Sequence, residues 1–176
     1  NIISNNSNVI FLIDKKVFNV FQTINNYKKQ KYICINCSEK IKSFKFYTKL
    51  TQEVLRKGVD RKTVIVAIGG GTLGDLSGFI ASTLLRGVDL ILVPTTLLAQ
   101  VDSSIGGKNG INTSFGKNLI GTFYQPKLVI IDPAFLATLP QRELLSGYAE
   151  IVKHSIIYDE KFFKWLKKNS KKLFDL

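Results

Sequence analysis

The sequence predicts an α/β fold: a Rossmann-like parallel sheet with helices on both faces, followed by the first helices of an all-helical region. Three observations carry this expectation. Short apolar runs alternate with helical patterns through residues 1–139. The strand runs are continuously apolar rather than alternating, as strands covered on both faces of a parallel sheet must be. From Pro140 onward every stretch has helical spacing. The expected division is therefore an α/β domain over residues 1–139 and the beginning of a truncated helical domain over residues 140–176.

Residues 9–13 (VIFLI) read as the first buried strand, and Asp14 ends it. Residues 15–30 have helical spacing, and residues 32–35 form a second strand within YICIN. A helix is expected over residues 43–57, where Phe44, Tyr47, Leu50, Val54 and Leu55 share a face and Gly58 supplies the stop. Residues 63–68 (TVIVAI) are the third strand; three glycines follow, and residues 72–85 read as a helix. A fourth strand covers residues 90–93, Pro94 turns the chain, and residues 95–101 look helical. Residues 103–116, rich in Gly, Ser and Asn, are expected to be loop. Residues 128–131 are a further strand closed by Asp132-Pro133, Pro140 opens a long helix, and Asp159 restarts another.

Composition narrows the function classes. At 45% hydrophobic and 22% charged, the 176 residues do not describe a disordered chain, and 4 Pro with 13 Gly exclude low-complexity and collagen-like classes. No run approaches the ~20 apolar residues of a membrane span, and NIISNNSN lacks the regions of a secretory signal. The net charge of +12 rests on Lys far more than Arg, with six Lys in residues 161–172. It reads as solvated helix faces and compositional drift. No recognition motif accompanies it, so nucleic acid is not an expected partner, whereas a small anionic substrate suits a positive field.

Cys34 and Cys37 form a C-x-x-C, a spacing open to a redox pair or half a zinc site, but no second pair exists. Cys34 lies in an apolar run and is expected in the core. So few cysteines suit a reducing, cytoplasmic compartment. The chain has no Met and ends inside a helical pattern, so it is expected to be a fragment cut at both ends.

The strongest local motif is Ile68-Gly69-Gly70-Gly71-Thr72-Leu73-Gly74-Asp75, a G-x-G-x-x-G between a strand and a helix. Glycines let the backbone approach a pyrophosphate, and the helix N-terminus presents unpaired N–H groups to its oxygens. An ordinary dinucleotide unit would place this loop after its first strand, with an acid ending the next. Here two strands come earlier, and Asp89 starts the fourth strand rather than ending it. A dinucleotide is therefore expected through a different topology, with Asp14 as the ribose contact.

From Gly69 onward the chain resembles the 3-dehydroquinate synthase family. The resemblance rests on GGGTLGDLSGFIAS, LLRG, PTTLLAQVDSSIGGKNGIN, GKNLIGTFYQP, IDPAFLATLP and RELLSGYAEIVKH, nearly continuous over residues 69–154. Upstream, FLID and Ser38-Glu39-Lys40-Ile41-Lys42 are similar to the family's first strand and its G-E-x-x-K segment, with Ser38 in place of Gly. The resemblance implies conversion of 3-deoxy-D-arabino-heptulosonate 7-phosphate to 3-dehydroquinate and phosphate, a step of aromatic amino-acid biosynthesis. It also implies NAD, a divalent metal (zinc, with cobalt an alternative), an all-helical metal and substrate domain, and a homodimer of the complete protein.

By the same resemblance Gly69, Gly70, Gly71, Thr72, Leu73, Gly74 and Asp75 cradle NAD, and Asp14, Glu39 and Lys42 hold its adenosine end. Thr95, Thr96, Asp102, Ser103, Lys108 and Lys117 join the cofactor site, and Phe135, Leu136, Ala137 and Thr138 complete it. Lys108, Asn118, Arg86 and Lys153 match substrate-handling positions, where fixed cations suit a phosphate and a carboxylate. The Arg86 equivalent reaches across the dimer. Glu150 matches a metal ligand, three residues from Lys153, so both face one cavity. The family's two other ligands are histidines beyond this chain. His154, the single histidine, is read as a helix-packing residue whose direction keeps it from sharing the metal of Glu150. Two alternatives stay open: a related sugar-phosphate cyclase, and an inactive truncated NAD-binding fragment.

Overall fold

The computed structural model describes residues 8–23 and 27–174. In chain order it contains β1 (Asn8–Asp14), α1 (Phe18–Gln22), β2 (Lys31–Ile35), α2 (Phe44–Arg56), β3 (Thr63–Gly69), α3 (Gly71–Thr83) and β4 (Asp89–Pro94). Then follow β5 (Lys108–Thr113), β6 (Gly116–Phe123), β7 (Leu128–Val129), α4 (Gln141–Tyr158) and α5 (Glu160–Phe174). Five strands make one parallel sheet in the order β2-β1-β3-β4-β7, while β5 and β6 pair antiparallel as a separate hairpin.

Alternation along each strand builds two faces. Ile10 and Leu12 of β1, Ile65 and Ala67 of β3, and Leu90 and Leu92 of β4 share one buried cluster with Leu50 and Val54 of α2 and Leu73, Leu76 and Ile80 of α3. Each of the Ile, Leu and Val side chains contributes about 1.5–3 kcal/mol on burial. The opposite face carries Val64, Val66 and Ile91, with Phe11 packed against them. Phe21 of α1 covers Phe11 at a ring separation of 5.1 Å. Local caps fix the turns: Ser43 Oγ accepts the Phe46 N–H to start α2, and Asp14 accepts the Lys16 N–H where β1 ends.

Four local expectations change. The helix expected over residues 15–30 breaks into a tight turn at Lys15–Val17, the short α1, and another turn at Tyr27–Lys29. Val17, Val20 and Thr23 are β-branched and weak helix formers; residues 24–26 lie outside the described residues. The helical stretch expected over residues 95–101 is shifted: it starts at Leu97 and continues as a π-helical turn over Ala99–Ser103. Cys34 is exposed rather than buried, because β2 is an edge strand that turns Ile33 and Ile35 inward.

The largest change lies in residues 103–116, which are not simply loop: most of them enter the β5–β6 hairpin. Glycines there permit close packing. A Cβ on Gly121 would stand 1.9 Å from the Asn109 carbonyl oxygen, and one on Gly78 of α3 would stand 1.8 Å from Asn109 Oδ1. The hairpin thus lies flush on α3. No described helix is long and apolar enough to cross a membrane.

Gly121→Ala forces backbone against backbone and should cost about 1–3 kcal/mol, lowering Tm by several degrees. Gly74→Ala should leave Tm unchanged or raise it, because its Cβ would meet nothing closer than Leu92 Cδ2 at 4.0 Å. Thermal unfolding of both variants checks the contrast; equal losses would contradict it.

Candidate functional site

The sheet order places a topological switch between β1 and β3: the chain leaves β1 toward β2 on one side and returns to β3 on the other. Ligands of open α/β sheets bind outside the carboxyl ends of strands at such a point. The pairing of Ile13 with Ile68, and of Gly69 with Pro94, brings the ends of β1, β3 and β4 level. Asp14, the glycine loop and Thr95-Thr96 therefore emerge together.

A cavity of about 620 Å³ lies at this edge. From β1 and the segment after β2 it receives Asp14 and Glu39, and from the glycine loop Gly70, Gly71, Thr72, Leu73 and Asp75. Thr95, Thr96, Ser103, Phe135 and Thr138 complete the expected residues that line it. Gly70 caps α3 without a side-chain hydrogen bond; the Leu73 and Gly74 N–H groups donate to its carbonyl, which leaves the Gly71 and Thr72 N–H groups for an anionic ligand. A Cβ on Gly71 would stand 2.5 Å from Ser103 Oγ and 3.3 Å from Ser103 Cβ, so glycine lets the helix end approach Ser103 without displacing its hydroxyl. Cys37, Lys16 and Glu143 also line the cavity, none of them among the expected site residues.

A second cavity of about 670 Å³ adjoins the first, with Asp75 and Ser103 in both walls. It gathers Asp102, Lys108 and Asn118, together with Asn109 and Thr122. Several expected cofactor residues fall elsewhere. Lys108 and Asp102 belong to this second cavity, Gly69 and Gly74 sit behind the loop, and Leu136 and Ala137 face an apolar groove beside α4 and α5. Lys117 is exposed on β6, and neither cavity includes it. Arg86 is exposed as well, in a turn where Leu85 and Arg86 hold φ values of +50° and +69°.

Lys42, only 5% exposed, sends Nζ 2.5 Å to Asp75 Oδ2 and 2.5 Å to Asn118 Oδ1. One buried ammonium thus ties the segment after β2 to α3 and to the hairpin. Burial pushes the Asp75 carboxyl above its ordinary range, and the Lys42 contact opposes that rise.

α4 supplies the rest. A Cβ on Gly147 would stand 2.5 Å from the Leu98 nitrogen and 2.6 Å from Leu97 Cβ, so α4 seats directly on this turn. That seat puts Lys153 Nζ in contact with Glu150 and 3.7 Å from Asp102. The Glu150 hydrogen bond, with the Asp102 charge behind it, holds the Lys153 ammonium above the usual lysine range against the opposing effect of desolvation. His154 corrects the sequence reading. It stands four residues after Glu150, one turn along the same face, with Nε2 3.7 Å from Asp102 Oδ1. Donor atoms of Asp102, Glu150 and His154 all lie within 4.8 Å of one another, and His154 Nε2 is screened from solvent without a hydrogen-bond partner. A divalent cation fits such a carboxylate and imidazole set.

A family model described as 3-dehydroquinate synthase N-terminal matches residues 32–146. The chain is 55% identical to the 3-dehydroquinate synthase of Pelagibacter ubique over 141 residues, 80% of this chain and 38% of that protein. It is 50% identical to the Staphylococcus epidermidis enzyme over 171 residues, 95% of this chain and 48% of that one. The chain therefore spans less than half the length of these relatives. Among solved structures, 2-epi-5-epi-valiolone synthase from Streptomyces hygroscopicus, with NAD+ and Zn2+ bound, superposes with a TM-score of 0.88 at 30% identity, covering 98% of this chain and 50% of that one. A 2-deoxy-scyllo-inosose synthase complexed with carbaglucose-6-phosphate, NAD+ and Co2+ gives 0.76 at 34% identity, covering 84% and 41%.

Lys42→Met leaves the Asp75 carboxylate buried without its cation and should cost about 2–4 kcal/mol near neutral pH. An acid with a raised folded pKa binds its proton more readily in the folded state, so the deficit relative to the parent chain should shrink as pH falls toward 4. Denaturant titrations at several pH values check this; a deficit independent of pH would contradict it.

Proposed function

This chain belongs to the 3-dehydroquinate synthase family, and on that premise we propose that it forms the NAD-binding part of an enzyme converting 3-deoxy-D-arabino-heptulosonate 7-phosphate to 3-dehydroquinate and phosphate. The observation that carries the reading is the pair of cavities that share Asp75 and Ser103 at the switch point. One suits a dinucleotide and the other a smaller anion, in direct contact. Identity of 50–55% to relatives of that name, against 30–34% to the two other cyclases, favours this reaction over theirs.

Each residue then has a task. The open N–H groups of the first turn of α3 and its dipole bind the pyrophosphate, and Asp14 and Glu39 accept hydrogen bonds from the adenosine ribose. Lys108 and Asn118, on the hairpin, hold the substrate's anionic groups in the second cavity. Lys153, kept protonated by Glu150 and Asp102, donates to a substrate oxygen and can pass a proton there. When bound, NAD would supply a reversible hydride acceptor for a substrate alcohol, and a divalent cation would supply Lewis-acid polarisation of that oxygen. Glu150 ligates that cation, and Asp102 and His154 lie close enough to join it.

On this reading α4 and α5 are the first helices of a metal and substrate domain that begins at residue 140. The complete protein is a homodimer: Arg86 is free to reach a second copy, and β6 offers it the exposed Leu119, Ile120 and Phe123.

Phosphate release from the heptulosonate by the complete protein, dependent on NAD and on zinc or cobalt, is the expected activity; its absence would overturn the reading. Lys108→Ala should lower turnover at least a hundredfold, about 2.7 kcal/mol or more, while NAD affinity stays within threefold. Loss of NAD binding instead would move Lys108 to the cofactor site. Zinc added to this chain should shift or broaden the imidazole resonance of its single histidine, and Glu150→Gln should prevent that change. A resonance indifferent to zinc would remove His154 from the metal set.

A further inference from the structure

The segment that carries Glu39 and Lys42 and the hairpin that carries Asn118 are far apart in sequence, yet one unassigned side chain joins them. Asn112 Nδ2 donates to Glu39 Oε1 at 2.7 Å. Its Oδ1 accepts the Asn118 backbone N–H at 3.0 Å. Its own backbone N–H donates to the Lys42 carbonyl at 2.8 Å, beside an isolated bridge between Ser43 and Asn112. The amide orientation follows from chemistry: a carboxylate needs a donor and a backbone N–H needs an acceptor, so only one arrangement satisfies both.

Asn118 needs this support. Its φ of +57° is a left-handed conformation, uncommon outside glycine though favoured for Asn among the other residues, and a held N–H fixes it. With its N–H held by Asn112, its side-chain oxygen meets Lys42 Nζ, which also bonds Asp75. Asn112 thus closes a circuit from Glu39 through Asn118 and Lys42 to Asp75, a residue in the wall of both cavities.

We infer that Asn112 is a positioning residue that couples the cofactor cavity to the substrate cavity: one arm of its amide sets Glu39 for the cofactor, and the other sets Asn118 for the substrate. Asn112 lines neither of the two cavities, so it acts only through these neighbours. The inference rests on the proposed function for what each cavity holds.

The two arms can be cut separately. Asn112→Asp keeps an oxygen for the Asn118 N–H but sets a carboxylate against Glu39. Asn112→Ala removes both. NAD affinity by calorimetry and hydrogen exchange at the Asn118 amide are measured on this chain and on each variant. Asn112→Asp should weaken NAD about fivefold or more and leave Asn118 exchange within twofold of the parent. Asn112→Ala should weaken NAD and also speed Asn118 exchange about fivefold or more. Unchanged NAD affinity in Asn112→Asp, unchanged exchange in Asn112→Ala, or equal effects of both variants on both readouts would overturn the inference. A parent chain that binds no NAD would overturn this inference and the proposed function together. NAD binding without phosphate release by the complete protein would overturn only the latter.

Discussion

Register in the parallel sheet governs everything at its carboxyl edge. Ile13 pairs with Ile68, and Gly69 with Pro94, so β1, β3 and β4 finish at one level. A slip of one residue would turn Ile10, Leu12, Ile65 and Ala67 from the α2–α3 side to the other face. The same slip would carry Asp14 away from the glycine loop. Burial of the strand side chains and placement of the site are thus one constraint, and the buried cluster enforces it many times over.

On this frame, close backbone approaches set the remaining geometry. Gly71 lets the start of α3 meet Ser103, Gly78 and Gly121 let the hairpin lie flush, and Gly147 lets α4 rest on residues 97–98. Each bears on one part of the site: the cofactor cavity, the wall with Lys108 and Asn118, and the group of Asp102, Glu150, Lys153 and His154. Charge then locks what packing has positioned. Lys42 joins three segments through one ammonium, and Lys153 is balanced between two carboxylates.

Much of this is legible in the sequence where the signal is local. Apolar runs mark the sheet strands, and the glycine loop sits between strand and helix as its chemistry requires. The early position of β1 already identifies Asp14, and the order β2-β1-β3-β4-β7 explains why: the switch point lies beside β1. Two of the failures share a cause, since each depends on a partner distant in sequence. Glycines that pack β5 against β6 read as loop until the opposing carbonyl is known. Cys34 looks buried until β2 proves to be an edge. The pairing of His154 with Glu150 is a local signal, because four residues along a helix is one turn; only Asp102, which reaches them from another element, is distant in sequence. Lys117, Leu136 and Ala137 match the family pattern, but their side of the cofactor cavity is not fixed by that match.

The central claim is that the switch-point cavity holds NAD, with the backbone at Gly71 as its floor. A calorimetric titration of NAD into this chain, beside the same titration of Gly71→Val, tests it most directly. The account predicts saturable binding of one NAD per chain that the valine abolishes, since even a Cβ there would stand 2.5 Å from Ser103 Oγ. No binding by the parent chain, or equal binding by both, would contradict it.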